Sequence, residues 1–112
     1  MYNVKKIAAE IFQAPTKQDL LERYLSQYIK NSDGTYSSNG DVKIDKRLVK
    51  NGRLIIKFKE VKGDFYCYFR NLTSLEGAPE SVGGDFLCYR NKVQFTEEYV
   101  RSLCKVKGNA YV

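Results

Sequence analysis

The chain has 112 residues, a formal net charge of +6, three cysteines and no histidine. That length suits one domain with a small core, and the missing histidine removes the usual neutral-pH proton carrier and metal ligand. No apolar run approaches the roughly 20 residues of a membrane span, and no secretory signal stands at the start, so a soluble intracellular protein without a membrane partner is expected.

Residues 2–12 place Val4, Ile7, Ala8, Ile11 and Phe12 on one face of a helix. Ala14-Pro15 ends it, because proline disfavours helix in the residue before it. Thr16 opens a second helix, with Asp19 closing a variant capping box and Leu20, Leu21, Tyr24, Leu25, Tyr28 and Ile29 forming the apolar face. Residues 1–30 thus read as a helical hairpin, placed to cap the open edge of a strand stack over residues 42–112. The turn-rich stretch 31–41, with Asp33-Gly34 and Asn39-Gly40, reads as a linker or a hairpin leading into that stack.

From Val61 onward one unit is written twice. Val61, Gly63, Asp64, Phe65, Cys67, Tyr68 and Leu72 recur at a step of 21 as Val82, Gly84, Asp85, Phe86, Cys88, Tyr89 and Val93. Within each copy the apolar and polar spacing is that of a leucine-rich-repeat strand: Phe65, Cys67, Arg70, Leu72, then Phe86, Cys88, Asn91, Val93. A strand of about seven residues leaves about fourteen for the return, which suits parallel neighbours. Upstream, Gly40, Asp41, Val42, Ile44, Arg47 and Val49 fit the frame at a step of 23, with a two-residue insertion between Val49 and Leu54. Downstream, Val106, Lys107 and Gly108 begin a truncated last copy. The return before it is replaced by a short helix, capped by Thr96, with Tyr99, Val100, Leu103 and Cys104 on one side. The expected fold is therefore α+β and single-domain: a helical hairpin capping about four stacked parallel strands, with a short helix before the last. Cys67 and Cys88 hold one apolar repeat position, so they read as reduced core residues rather than a disulfide or metal pair.

If Phe65, Cys67, Phe86 and Cys88 face inward, Tyr66, Tyr68, Leu87 and Tyr89 face outward, with Tyr111 beyond them and Arg70 beside them. Tyrosine and arginine are enriched at binding hot spots, which makes this column a candidate partner-binding face. The charge suggests an alternative. Lys43, Lys46, Arg47, Lys50, Arg53, Lys57, Lys59 and Lys62 stand against only Asp45 and Glu60, leaving eleven charges of each sign elsewhere. Such a basic stretch, with tyrosines nearby, could contact nucleic acid or an acidic protein face. Asp41, Asp64, Asp85 and Asn109 share one repeat position, where backbone bonding at a turn is favoured over cation recruitment. No serine or cysteine has an evident base, and GAPESVGG lacks the lysine and spacing of a phosphate-binding loop, so no catalytic residue, metal or cofactor is expected.

The segments VKGDFYCYFRNLTSLEGAPESVGGDFLCYRN and FTEEYVRSLCKVKGNAYV, with SDGTYSSNGDVKI, resemble a repeat family of tailed bacteriophages in which LTSLEGAP-xx-VGGDFxC-xxN units run in tandem. The resemblance covers roughly residues 32–112. It implies a leucine-rich-repeat-like fold, a small phage accessory protein, and a place in the host cell cytoplasm. The expectation built on it is a non-enzymatic binder that inhibits or redirects a host bacterial protein, such as an antiviral nuclease, CRISPR effector or toxin. Where the family has asparagine, this chain has Arg70 and Arg47, so a disturbed turn ladder with outward guanidinium groups is expected there.

Overall fold

The computed structural model describes residues 14–112, so the helix expected over 2–12 lies outside the described residues. The chain is α+β. Helix α1, Lys17–Leu25, begins at Thr16, whose hydroxyl accepts from the Asp19 N–H while the Asp19 carboxylate accepts from the Thr16 N–H. It ends sooner than its apolar pattern predicts. Ser26 caps it through its own N–H and hydroxyl, and Ile29 leaves the helix to pair as strand β1, Ile29–Lys30, with β2, Tyr36–Ser38. Residues 29–38 are thus a hairpin rather than a linker, turning through Asp33 and Gly34. Leu20 and Ile29 are exposed, while Leu21, Tyr24, Leu25 and Tyr28 pack on the core.

From β2 onward the repeat builds four rungs, each made of two very short strands rather than one of seven residues. Rung 1 is β2 and β3, Val42–Lys43; rung 2 is β6, Phe58–Val61, and β7, Phe65–Tyr66. Rung 3 is β8, Ser81–Val82, and β9, Phe86–Leu87; rung 4 is β10, Lys105–Val106, and β11, Ala110–Tyr111. The first strands stack as parallel sheet A in the register Ser38, Val61, Val82, Val106. The second strands stack as parallel sheet B in the register Val42, Phe65, Phe86, Ala110. The extra residues of rung 1 are a small hairpin, β4 (Val49–Lys50) with β5 (Arg53–Leu54), turning on Asn51 and Gly52. Both turn residues have positive φ, 53° and 76°, as a tight two-residue hairpin requires.

The corner between the sheets explains the repeated glycine and aspartate. Asp41 Oδ1 accepts from the Asp64 N–H at 2.7 Å, Asp64 Oδ1 from Asp85 at 2.7 Å, and Asp85 Oδ1 from Asn109 at 2.8 Å. Each carboxylate therefore bonds backbone, but that of the next rung. A Cβ on Gly84 would lie 2.0 Å from the Asp64 carboxylate, so glycine clears the space that the rung below fills. Gly40, with no rung below it, meets nothing within 4 Å.

The core is a file of side chains between the sheets, with Phe58, Phe65 and Phe86 fully buried and ring centroids 5.7 and 5.1 Å apart. Cys67, Cys88 and Cys104 are free thiols buried among them, and burial raises their pKa, for Cys88 and Cys104 to about 11. Val93 departs from its expected place. It is 43% exposed, because the chain turns into helix α2, Glu97–Leu103, and buries Phe95 instead. Thr96 caps α2 as expected, yet so short a helix buries one stripe only: Val100 and the following Cys104 are buried, Tyr99 and Leu103 exposed.

Candidate binding face

Alternation along β7 and β9 turns Phe65 and Phe86 inward and leaves Tyr66 and Leu87 half-buried on the outer side, in register with Lys43 and Tyr111. Two residues on, Tyr68 and Tyr89 lie parallel, ring centroids 4.9 Å apart and planes within 1°. Tyr66 meets Tyr68 edge-on at 6.2 Å, and the Lys43 ammonium sits 5.6 Å from the Tyr66 ring centroid. Tyr66 also donates its hydroxyl to Asp64, and that bond to a carboxylate holds the phenol pKa above its ordinary value. Tyr111 is 46% exposed at the end of the row. The residues expected to form the face are therefore brought together.

One aromatic was missed. Phe69 is 58% exposed, and the Arg90 guanidinium lies 5.5 Å from its ring centroid. Phe69 and Arg90 hold the same repeat position and both have left-handed backbones, φ 54° and 55°. A position one residue past each outward tyrosine was the available signal.

Arg70 behaves only in part as expected. Asn91 closes its turn completely: Nδ2 donates to the Cys67 and Cys88 carbonyls at 3.0 and 2.8 Å, and Oδ1 accepts from the Arg70 and Leu72 N–H groups at 2.9 and 3.1 Å. Arg70 keeps one donation of that pattern, its Nε reaching the Ile44 carbonyl of the rung below at 2.6 Å, while a terminal nitrogen donates to the neighbouring Phe69 carbonyl instead of that of Cys67. The ladder is half kept there: guanidinium donates to the rung below as the amide does but has no acceptor for the backbone N–H groups, so the turn is disturbed as expected while the side chain is drawn in rather than outward. At rung 1 it is replaced: Arg47 forks onto Asp45 at 2.8 and 2.9 Å beside a 3₁₀ turn, Lys46–Leu48, that Asp45 caps. The Arg47 fork pulls the Asp45 carboxyl down to about 2.

The basic stretch from Lys43 to Lys62 circles one rung, so its charges reach several faces. Lys43 lies on sheet B, and Lys46 and Arg47 lie on the 3₁₀ turn. Lys50 and Arg53 lie on the small hairpin, where Arg53 pairs with Glu76 at 3.2 Å. Lys57 donates to the Ala78 carbonyl, Lys59 of β6 approaches Asp33 at 3.9 Å, and Lys62 flanks sheet A. A different set gathers instead. Lys46, Arg70 and Lys92, one from each of three rungs, line a cleft of about 460 Å³ with Asn51, Asn71 and Thr73.

Among the described residues no three histidine, cysteine, aspartate or glutamate side chains are placed to hold a metal ion, and no helix is long and apolar enough to cross a membrane. No protein-family model, curated protein or solved structure matches the chain.

Proposed function

We propose that this is a non-enzymatic binding module, a phage accessory protein that docks the outer face of sheet B on a host bacterial protein in the host cytoplasm and inhibits or redirects it. An antiviral nuclease, CRISPR effector or toxin is the proposed kind of target, following the resemblance to phage repeats. The observation that carries docking is a contrast between two faces of the same rungs. Sheet A shows solvent Glu60, Ser81 and Lys105 in register, whereas sheet B shows Tyr66 and Leu87, extended by Tyr68, Tyr89, Phe69 and Tyr111. If tyrosine served only as a strand former, both sheets would call for it. Phe69 sharpens the point. A left-handed backbone costs a bulky residue about 1 kcal/mol that asparagine or glycine would not pay, and its exposed ring returns little of this through the core.

The test is capture from bacterial host lysate by the wild-type chain and by a Tyr68→Ser, Phe69→Ser, Tyr89→Ser variant of unchanged circular dichroism. The expected result is a specific host protein held by the wild type and lost by the variant. Equal recovery by both would place the interface elsewhere.

A second reading, nucleic-acid binding, draws on the cleft shared by Lys46, Arg70 and Lys92. It requires affinity for a single-stranded oligonucleotide that falls steeply with salt and weakens in Lys46→Glu, Lys92→Glu. A gel shift showing no complex at low salt removes it.

A further inference from the structure

The outer face of sheet A is hollow at rung 3. Register sets Glu60, Ser81 and Lys105 in one row across β6, β8 and β10. The ladder runs on past the strands, Gly83 N–H to the Val61 carbonyl at 2.8 Å and Lys107 N–H to the Val82 carbonyl at 3.0 Å. Lys62, Gly83 and Lys107 therefore form a second row on the same face, two residues further along. Rungs 2 and 4 carry long charged side chains in both rows, and rung 3 carries a hydroxymethyl and a hydrogen. The result is a cleft of about 460 Å³ with Ser81 and Gly83 as its floor and the four charged residues as its walls. Adjacent strands lie about 4.8 Å apart, so the walls rise from backbones about 9.6 Å apart. That width admits one tetrahedral oxyanion with an ammonium on either side.

The charge matches. Three lysines face one glutamate, and none of the four belongs to an ion pair among the described residues, whereas Lys59, Arg53 and Arg101 each have a carboxylate partner. Ammonium groups are compact donors suited to phosphate, and the Ser81 hydroxyl adds another donor at the floor. Glu60 is the one acceptor in the wall, and the volume exceeds what phosphate alone would fill. The geometry points to a site for a phosphate monoester of a hydroxyl-bearing small molecule: Lys62, Lys105 and Lys107 hold the phosphate, and Glu60 accepts from a hydroxyl of the attached group. The site lies on the sheet that the docking face does not use, and it stands independently of that reading.

The experiment is amide NMR titration of the whole chain with inorganic phosphate and, separately, a hexose phosphate, with sodium chloride balancing ionic strength. Saturable shifts at Ser81, Gly83 and Lys107 are expected, with tighter binding of the hexose phosphate. Lys62→Ala, Lys107→Ala should weaken both ligands about tenfold or more, because two of three cationic contacts are gone. Both side chains are exposed, so the fold is retained and is checked by the unchanged remainder of the spectrum. Glu60→Gln should tighten binding of inorganic phosphate, since a like charge leaves the wall, and should remove the preference for the hexose phosphate. Shifts that fail to saturate, or unchanged binding in the double lysine variant, overturn the site; equal affinity for the two ligands overturns the assignment of the ester. Gly83 is unsuitable for substitution, since a Cβ there would lie 2.3 Å from the Lys62 carbonyl oxygen.

Discussion

At the scale of single residues, one asparagine and one arginine do comparable work with unequal completeness. Asn91 satisfies two carbonyls and two N–H groups of two rungs, so Asn91→Ala leaves four partly buried backbone groups without partners. A loss of about 3 kcal/mol is expected in urea denaturation. Arg70→Ala loses donation to the Ile44 and Phe69 carbonyls only, in a more open place, and should cost about 1 kcal/mol. Arg70→Asn should restore much of that, since the amide can reach the same carbonyl. Asp45 provides a pH test. Its carboxyl is held near 2, chiefly by the Arg47 side chain and against the upward push of burial, below its unfolded value of about 3.9. The folded state therefore gains from this group fully above about pH 4, and the gain fades as pH falls through about 2. The stability difference between wild type and Asp45→Asn should be level from pH 7 to about 5 and shrink below about 4. It should stay under about 1 kcal/mol, because the pair is partly exposed.

At the scale of the element, the rung depends on glycine and aspartate as a couple. Gly84→Ala would push a methyl group into the Asp64 carboxylate, and a loss of about 3 kcal/mol or more is expected. Asp64→Ala alone loses the bond to the Asp85 N–H and the acceptor for Tyr66, for about 1–2 kcal/mol. In the double variant the clash is largely gone, so the two losses should fall short of their sum by about 1–2 kcal/mol in a thermal or urea cycle. Additive losses would mean that the backbone of rung 2, 3.2 Å away, sets the glycine requirement. This couple was legible in the sequence as a recurring Gly-Asp, as were the parallel rungs, the Thr16 and Thr96 caps and the buried cysteines. The corner it makes was not. Periodicity marks which residues face inward, but it is silent about the bend after Val61 and Val82 that splits each rung between two sheets. The end of α1 was hidden for a similar reason: Tyr28 faces the core from a turn as readily as from a helix, so the apolar pattern outlasts the helix. For the proposed binding face, alternation sufficed to place Tyr66, Tyr68, Leu87 and Tyr89 on the outer side. Phe69 escaped because alternation would turn it inward with Phe65 and Cys67, and its left-handed backbone breaks the alternation at that residue.

At the scale of the whole molecule, a parallel stack must end without offering its bare margin to another chain. Sheet A begins behind β1, which pairs with β2, and sheet B begins under α1, where the Tyr24 hydroxyl donates to the Lys43 carbonyl. The end of sheet A is closed by a single side chain. In rungs 2 and 3 the Val61 and Val82 carbonyls accept from Gly83 and Lys107, and the Gly63 and Gly84 carbonyls accept from Gly84 and Gly108. In rung 4 the corresponding Val106 and Gly108 carbonyls each accept from one arm of Arg101, both at 2.9 Å, while Glu97 holds its Nε at 3.0 Å. The guanidinium thus donates where a fifth rung would. Arg101→Ala should cost about 1–2 kcal/mol in urea denaturation, for two charge-assisted bonds in a partly exposed place. Arg101→Lys should lose most of the same amount, because an ammonium cannot span two carbonyls as the planar fork does. The alanine variant should also show concentration-dependent association in sedimentation velocity, since the Val106 and Gly108 carbonyls are then free acceptors along the margin of rung 4. A variant as stable and as monodisperse as the wild type would mean that water caps the last rung equally well, and that α2 rather than Arg101 ends the stack.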